Sequence, residues 1–94
     1  MIILQIEHPV PDFNGWKKAF DSDPIGREKS GVKSYRIYRP AGDLNYVIID
    51  LVFASLDSAQ SMLTSLQKLW GKVEGTVMTG PKARLLEIIE SRDY

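Results

Sequence analysis

The sequence predicts an α+β domain in which a four-stranded antiparallel sheet carries two helices on one face. Residues 45–54 are rich in β-branched and aromatic side chains, contain no glycine or proline, and have the length of a strand. Two other segments place apolar side chains at helical spacing. The 94 residues leave room for one hydrophobic core, so we expect a single domain over residues 1–94.

The first strand and the first helix are marked by prolines and by a capping residue. Residues 1–8 predict a strand, which Pro9 and Pro11 end because proline cannot donate to a sheet ladder. Asp12 can accept hydrogen bonds from the free amides of a first helical turn. The helix breaks at residues 21–24. Its apolar face consists of Phe13, Trp16, Ala19 and Phe20.

The middle of the chain predicts a hairpin. Residues 25–29 can add one helical turn before the second strand, which covers residues 32–39. A turn at residues 40–44 then leads into the strand at 45–54. Because this connection is short, the two strands pair as antiparallel neighbours.

The second helix is the longest element that the sequence predicts. Ser55 or Asp57 caps it. A connector at residues 77–81 and a last strand at 83–90 follow. One continuous apolar stripe runs along the helix, formed by Leu56, Ala59, Met62, Leu63, Leu66, Leu69, Trp70 and Val73.

The order β-α-β-β-α-β consists of two split βαβ units. Such units fold most simply into a ferredoxin-like arrangement with both helices on one face of the sheet. Right-handed crossovers place the first and third strands in the centre. A central position suits residues 45–54, because that strand is apolar on both sides.

Side-chain alternation assigns each face of the hairpin. The uniformly apolar set faces the helices, namely Val47, Ile49, Leu51 and Phe53 from the third strand with Tyr35 and Ile37 from the second. The other face, which we call the open face, receives Val32, Ser34, Arg36 and Tyr38 together with Tyr46, Ile48, Asp50 and Val52. A five-residue loop brings Arg36 opposite Asp50, so we predict that these two side chains form a cross-strand ion pair.

The open face predicts self-association. Its apolar members would form an exposed patch of several hundred Å², which is more than a monomer usually exposes. Packing two copies about a two-fold axis covers that patch. Arg36 would then compensate the buried charge of Asp50. The alternative to a catalytic role for the pair is that it only satisfies the core of a dimer.

Composition excludes several classes of function. Twelve basic residues balance twelve acidic ones, whereas nucleic acids and anionic membranes attract a basic excess. No apolar run approaches the ~20 residues of a membrane span. The absence of cysteine excludes disulfides and thiolate metal sites and fits a cytoplasmic protein, and a single histidine makes any metal site improbable.

Two stretches carry a resemblance to a known superfamily. They are His8-Pro9-Val10-Pro11-Asp12-Phe13 leading to Trp16-Lys17, and Tyr35-Arg36-Ile37-Tyr38-Arg39. With the βαββαβ order, they resemble the dimeric α+β barrel superfamily, which includes antibiotic-biosynthesis monooxygenase-like domains, muconolactone isomerases and haem-degrading enzymes. The resemblance implies a homodimer with the helices outside an eight-stranded barrel. It does not imply one activity, because one fold hosts many.

The resemblance also implies a kind of site. Cofactor-free oxygenases of the superfamily hold an acidic phenol or enol in an aromatic-lined pocket, with a base and positive charge near the developing oxyanion. Candidate catalytic residues are His8, Arg36 and Asp50, and candidate ligand-binding residues are Trp16, Tyr35, Tyr38 and Trp70. The alternatives are structural: a loop histidine before two prolines, and tryptophans that fill the core.

Three functions therefore stay open. The first is a homodimeric barrel that binds a small aromatic or polyketide-like molecule and oxidises it as a monooxygenase without a cofactor. The second is a module that binds a ligand or assembles without catalysis. The third is an isomerase or cyclase that acts on an enolisable ring.

Overall fold

The computed structural model describes residues 1–73 and 80–94 of the chain. Over these residues the predicted order of elements is confirmed. The strands are β1 (Ile2–Pro9), β2 (Val32–Tyr38), β3 (Tyr46–Phe53) and β4 (Lys82–Glu87), and the helices are α1 (Phe13–Ser22) and α2 (Leu56–Val73). The last strand ends three residues earlier than predicted, and residues 77–79 of the predicted connector lie outside the described part.

The four strands form one antiparallel sheet in the order β2-β3-β1-β4. The prediction that the first and third strands are central is therefore confirmed. β1 and β3 pair along their whole length, with Leu4 opposite Leu51 and Gln5 opposite Asp50. The α+β ferredoxin-like fold follows from this topology. No helix among the described residues is long and apolar enough to cross a membrane.

Both helices begin at side-chain caps. The carboxylate of Asp12 accepts a hydrogen bond from the Gly15 amide at 3.0 Å, as predicted for an N-cap. The Ser55 hydroxyl accepts from the Ser58 amide at 3.2 Å, so Ser55 is the cap of α2. Asp57 lies in the first turn of α2, where its negative charge interacts favourably with the positive end of the helix dipole.

The alternation predicted for β3 is confirmed. Its odd-numbered side chains lie under the helices and are at most 3% exposed: Val47, Ile49, Leu51 and Phe53. The even-numbered side chains lie on the open face and are half-buried: Tyr46, Ile48, Asp50 and Val52. The sheet thus has one face that the chain itself covers and one face that it leaves uncovered.

Two positions depart from the predicted pattern. Val32 was assigned to the open face, but it is buried and pairs with Phe53, because a bulge shifts the register between Val32 and Ser34. An extra residue moves every side chain before it to the opposite face. Leu56 was placed on the buried stripe of α2 but is 52% exposed, since it is the first residue of the helix and lies at its end.

Candidate functional site

A cavity of about 330 Å³ lies between the sheet and the two helices. Pockets for small ligands commonly measure about 300–1,000 Å³ and are mainly apolar. Most of the lining side chains here are apolar as well. They are Ile6, Ile49 and Leu51 from the sheet, Trp16, Ala19 and Phe20 from α1, Met62, Leu66, Leu69 and Trp70 from α2, and Pro24 and Ile25 from the segment after α1.

Each helix contributes one tryptophan to the cavity. Trp16 is 3% exposed and Trp70 is 8% exposed, and both rings belong to the hydrophobic core. Neither indole N–H has a hydrogen-bond partner among the described residues. Because a buried indole usually finds an acceptor, a bound ligand could supply one. The predicted ligand-binding residues Trp16 and Trp70 therefore both line the cavity.

His8 is the only buried polar residue among those described, and it also lines the cavity. Its Nδ1 lies 3.0 Å from the carbonyl oxygen of Pro9, which assigns the proton to Nδ1. Nε2 is then an acceptor, and no described residue donates to it. Burial lowers the pKa of His8 from its ordinary value, and the hydrogen bond to Pro9 opposes this only in part. The imidazole is therefore neutral at pH 7, so its Nε2 can accept a proton.

A row of aromatic rings leads away from His8. The centroids of His8 and Trp16 are 6.0 Å apart, and those of Trp16 and Phe20 are 5.2 Å apart. The Arg27 guanidinium carbon lies 4.0 Å from the centroid of Phe20. Helical spacing on α1 explains this row, because residues four apart lie on one face of a helix. The row places the base at one end and a cation at the other.

The segment after α1 holds Arg27 in place. Asp23 ends the helix in the left-handed region, at φ 51°. One guanidinium N–H of Arg27 donates to the Phe20 carbonyl at 2.7 Å, and the Asp23 carboxylate lies 3.5 Å away. The Arg27 side chain is 17% exposed. The Phe20 carbonyl at the end of α1 thus accepts both from Arg27 and from the Asp23 amide, the latter at 3.2 Å.

Arg27 was not among the predicted site residues. The sequence predicted only an added turn at residues 25–29. The contact of Arg27 with Phe20 depends on how that turn folds back over α1. The one local signal was the spacing of Asp23 and Arg27, which are four residues apart and form an ion pair. That spacing predicts a local pair but says nothing of a cavity.

Three predicted site residues lie on the opposite side of the sheet from His8. Arg36, Tyr38 and Asp50 belong to the open face, so the structure does not bring them together with the cavity. Tyr35 faces the helix side, as expected, but does not line the cavity. Its ring contacts Phe20 at 5.1 Å between centroids and borders a shallow polar depression with Lys33.

The predicted register of Arg36 opposite Asp50 is confirmed, but the predicted ion pair is wrong. Asp50 accepts instead from the side chains of Gln5 at 3.0 Å and Tyr38 at 2.9 Å. Gln5 lies directly opposite Asp50 on the central strand β1, whereas Arg36 is exposed on the edge strand. An exposed arginine gains little from an ion pair in water and loses side-chain rotamer freedom when it forms one.

The hydrogen bonds of the open face extend across all four strands. Arg84 on β4 donates through Nε to the Gln5 side-chain oxygen at 2.9 Å. The Asp50 carboxylate raises the pKa of Tyr38, which Arg36 opposes in part. A second pair joins Tyr46 to Glu7 at 2.9 Å and raises the pKa of Tyr46. The central polar groups of this face therefore already have protein partners.

The described part of the chain contains no cluster of metal-ligating side chains. No group of three or more histidine, cysteine, aspartate or glutamate side chains there could hold a metal ion. The polar residues that line the cavity are instead His8, Trp16, Trp70 and Arg27, together with Ser22 and the carboxylate of Asp23 that pairs with Arg27. This set can accept a proton from an acidic group and can stabilise negative charge.

No protein-family model matches the sequence, and no curated protein matches it closely enough to show a relationship. Solved structures do match. SnoaB, a cofactor-independent oxygenase from Streptomyces nogalater, has a TM-score of 0.76 at 11% identity, covering 96% of this chain and 94% of that one. A candidate antibiotic biosynthesis monooxygenase from Deinococcus radiodurans has a TM-score of 0.76 at 12% identity, with coverage of 100% and 98%.

A dimeric ferredoxin-like protein from an uncultured marine organism has a TM-score of 0.67 at 10% identity, with 97% of each chain covered. At these identities the similarity shows a shared fold. The chain has the fold of the antibiotic-biosynthesis monooxygenase-like proteins, as the motifs around His8 and Tyr35 predicted.

Proposed function

We propose that this protein is a homodimer that binds a small aromatic or polyketide-like molecule between the sheet and the helices and oxidises it without a cofactor. The observation that carries the proposal is the placement of His8. A neutral imidazole, whose Nε2 has no partner among the described residues, lines an apolar cavity of about 330 Å³ beside two tryptophans. No buried side-chain nitrogen or oxygen of the described residues is left unsatisfied, so this nitrogen is accessible from the cavity and can accept a hydrogen bond from a ligand.

In this proposal His8 acts as the general base. Its Nε2 takes a proton from an enolisable CH₂ group or a phenol of the ligand, and the hydrogen bond to Pro9 fixes the ring while it does so. The electron-rich anion then reacts with O₂. Overall, a CH₂ group and O₂ give a C=O group and H₂O, so atoms and electrons balance without a further reductant.

The similar structures support this direction. SnoaB is a cofactor-independent oxygenase, and it shares the fold over nearly the whole chain. The fold alone does not select an activity. The site adds the selective features, because the described lining combines a base with aromatic rings in a mainly apolar cavity.

The homodimer is proposed from the open face and from a similar protein that is dimeric. Ile3, Ile48 and Val52 are half-buried on that face, and Leu86 is exposed beside them. Pairing two such faces about a two-fold axis would cover these side chains. Sedimentation equilibrium at micromolar concentration tests the assembly, and a folded monomer with no tendency to associate would disprove it.

Binding and turnover are tested separately. Isothermal titration with naphthol-type and anthrone-type compounds measures binding, and oxygen uptake with quinol-type and anthrone-type compounds measures oxidation. The variant Ala19→Phe places a ring in the cavity and should abolish both, whereas Ala41→Phe in the exposed turn should change neither. Binding without oxygen uptake would favour a non-catalytic module, and product formed under nitrogen would favour an isomerase or cyclase.

A further inference from the structure

The end of the cavity opposite His8 contains a cation that the proposed chemistry does not use. Arg27 lines the cavity and also borders the polar depression on the other side of its loop. Its side chain therefore stands between the apolar interior and the surface. The sequence suggested Arg36 as the positive charge of the site. Arg36 lies on the open face, however, and does not line the cavity.

Part of the Arg27 guanidinium is available to a ligand. A guanidinium has five N–H donors. Its contacts among the described residues are a hydrogen bond from one nitrogen to the Phe20 carbonyl and a looser ion pair of the same nitrogen with Asp23. The remaining donors have no partner in the described part of the chain. No buried side-chain nitrogen or oxygen is left unsatisfied there, so these donors are within reach of solvent or of a ligand.

Stacking fixes the orientation of this cation. The guanidinium carbon lies 4.0 Å from the Phe20 centroid and 5.2 Å from the Tyr35 centroid. Arginine stacked on aromatic faces is more weakly hydrated than lysine and presents a planar fork that matches a carboxylate. A guanidinium that is already oriented at the mouth of a cavity needs little reorganisation to bind an anion.

The row of rings between His8 and Arg27 indicates the kind of ligand that would touch both. Trp16 and Phe20 lie between the two groups and stack at 5.2 Å between centroids. These rings and the apolar lining of the cavity favour an aromatic ligand. Its acidic group would then lie at the mouth while its reacting group lies at the imidazole.

We propose that the substrate is an aromatic acid whose ionised acidic group is held by Arg27. This inference rests on the proposed function, since it assigns the substrate class of the same cavity. Arg27 is a specificity-determining residue in this scheme, and His8 remains the base. The Asp23 carboxylate limits the effect of the cation without cancelling it, because Asp23 also accepts from the Arg27 backbone amide at 2.9 Å.

The test compares two ligands of nearly equal shape, naphthoate and naphthamide, by isothermal titration. Charge-assisted hydrogen bonds should make the wild-type protein bind naphthoate about tenfold or more tightly than naphthamide. Arg27→Gln should reduce this ratio to about one. The ratio is the decisive readout because Arg27 also supports the end of α1, and a purely structural loss would weaken both ligands equally.

Arg39→Gln is the matched control. Arg39 also stacks on a ring of α1, with its guanidinium carbon 5.1 Å from the Phe13 centroid, but it does not line the cavity. The change in net charge is the same, so the naphthoate preference should survive. Arg27→Lys keeps the charge and should retain part of the preference, which covers the case in which Arg27→Gln fails to fold.

The outcomes separate this inference from the proposed function. Equal binding of the two ligands by the wild-type protein, or loss of the preference in Arg39→Gln, would overturn the role of Arg27 and leave the cavity as a ligand site. The proposed function fails if neither ligand binds and if Ala19→Phe shows the same binding and oxygen uptake as the wild-type protein with every aromatic compound tried. This inference then fails with it.

Discussion

The two faces of the sheet hold polar groups in opposite ways. On the covered face, His8 lines a cavity and one of its ring nitrogens has no partner among the described residues. On the open face, Asp50 and Glu7 accept hydrogen bonds from side chains on neighbouring strands. A polar group that already has a partner gains little from a ligand, whereas an unpartnered one gains a hydrogen bond. The contrast favours chemistry on the covered face and assembly on the open face.

The largest expected effect comes from replacing the base. His8→Gln keeps a polar side chain of similar size but removes the basic nitrogen. Turnover in the oxygen-uptake assay should fall by roughly 10²–10⁴-fold, which is the usual contribution of a general base. Ligand affinity measured by titration should change much less, since the apolar lining is intact.

Asp50→Asn is the control for that experiment, because Asp50 was also a candidate catalyst. It lies on the open face, so turnover should stay at the wild-type level. If Asp50→Asn lost turnover and His8→Gln kept it, the assignment of the two faces would be reversed.

Two neighbouring isoleucines test the difference in packing. Ile49 is 3% exposed under the helices, and Ile48 is half-buried on the open face. Ile49→Ala should lower the free energy of unfolding by about 2–5 kcal/mol at every protein concentration. Ile48→Ala should act mainly on association, so its effect on urea unfolding should be largest at high protein concentration and should disappear once dilution leaves both proteins monomeric. Equal effects that do not depend on concentration would contradict a dimer through the open face.

The sequence predicted much of this contrast because alternation and loop length are local properties. Period-two alternation in β3 identified the four buried side chains, and the short hairpin loop gave the register of Arg36 opposite Asp50. The bulge at Val32 could not be foreseen in the same way. An inserted residue leaves no compositional mark, and it reversed the face of Val32 alone.

The site was harder to predict than the fold because its polar contacts join distant parts of the chain. Gln5 and Asp50 are 45 residues apart, and nothing near either residue signals the hydrogen bond between them. Arg27 reaches Phe20 only after the segment following α1 turns back. Aromatic side chains at helical spacing did identify Trp16, since the buried face of a helix follows directly from its period.

The pH dependence of stability tests the burial of His8. Burial lowers its pKa below the ordinary value of 6.5, so the folded protein binds fewer protons than the unfolded chain between the two pKa values. The free energy of unfolding should therefore be highest above about pH 6.5 and should decrease as the pH falls below it. Urea unfolding at a series of pH values measures this. In His8→Gln the free energy of unfolding should depend less on pH in this range. An identical pH dependence in the variant would mean that other groups cause it.

The smallest expected effects concern Asp50 and Arg36, and they test which neighbour Asp50 bonds. Asp50→Asn weakens the hydrogen bonds from Gln5 and Tyr38 and should cost about 1 kcal/mol of unfolding free energy. Arg36→Gln should cost less than about 0.5 kcal/mol, because Arg36 is exposed and forms no ion pair with Asp50.

Spectrophotometric titration of Tyr38 gives a second readout. The carboxylate raises the pKa of Tyr38 and Arg36 lowers it, so Asp50→Asn should decrease that pKa and Arg36→Gln should increase it. Tyr38→Phe identifies the signal, and an unfolding cost of Arg36→Gln as large as that of Asp50→Asn would support the ion pair that the sequence predicted.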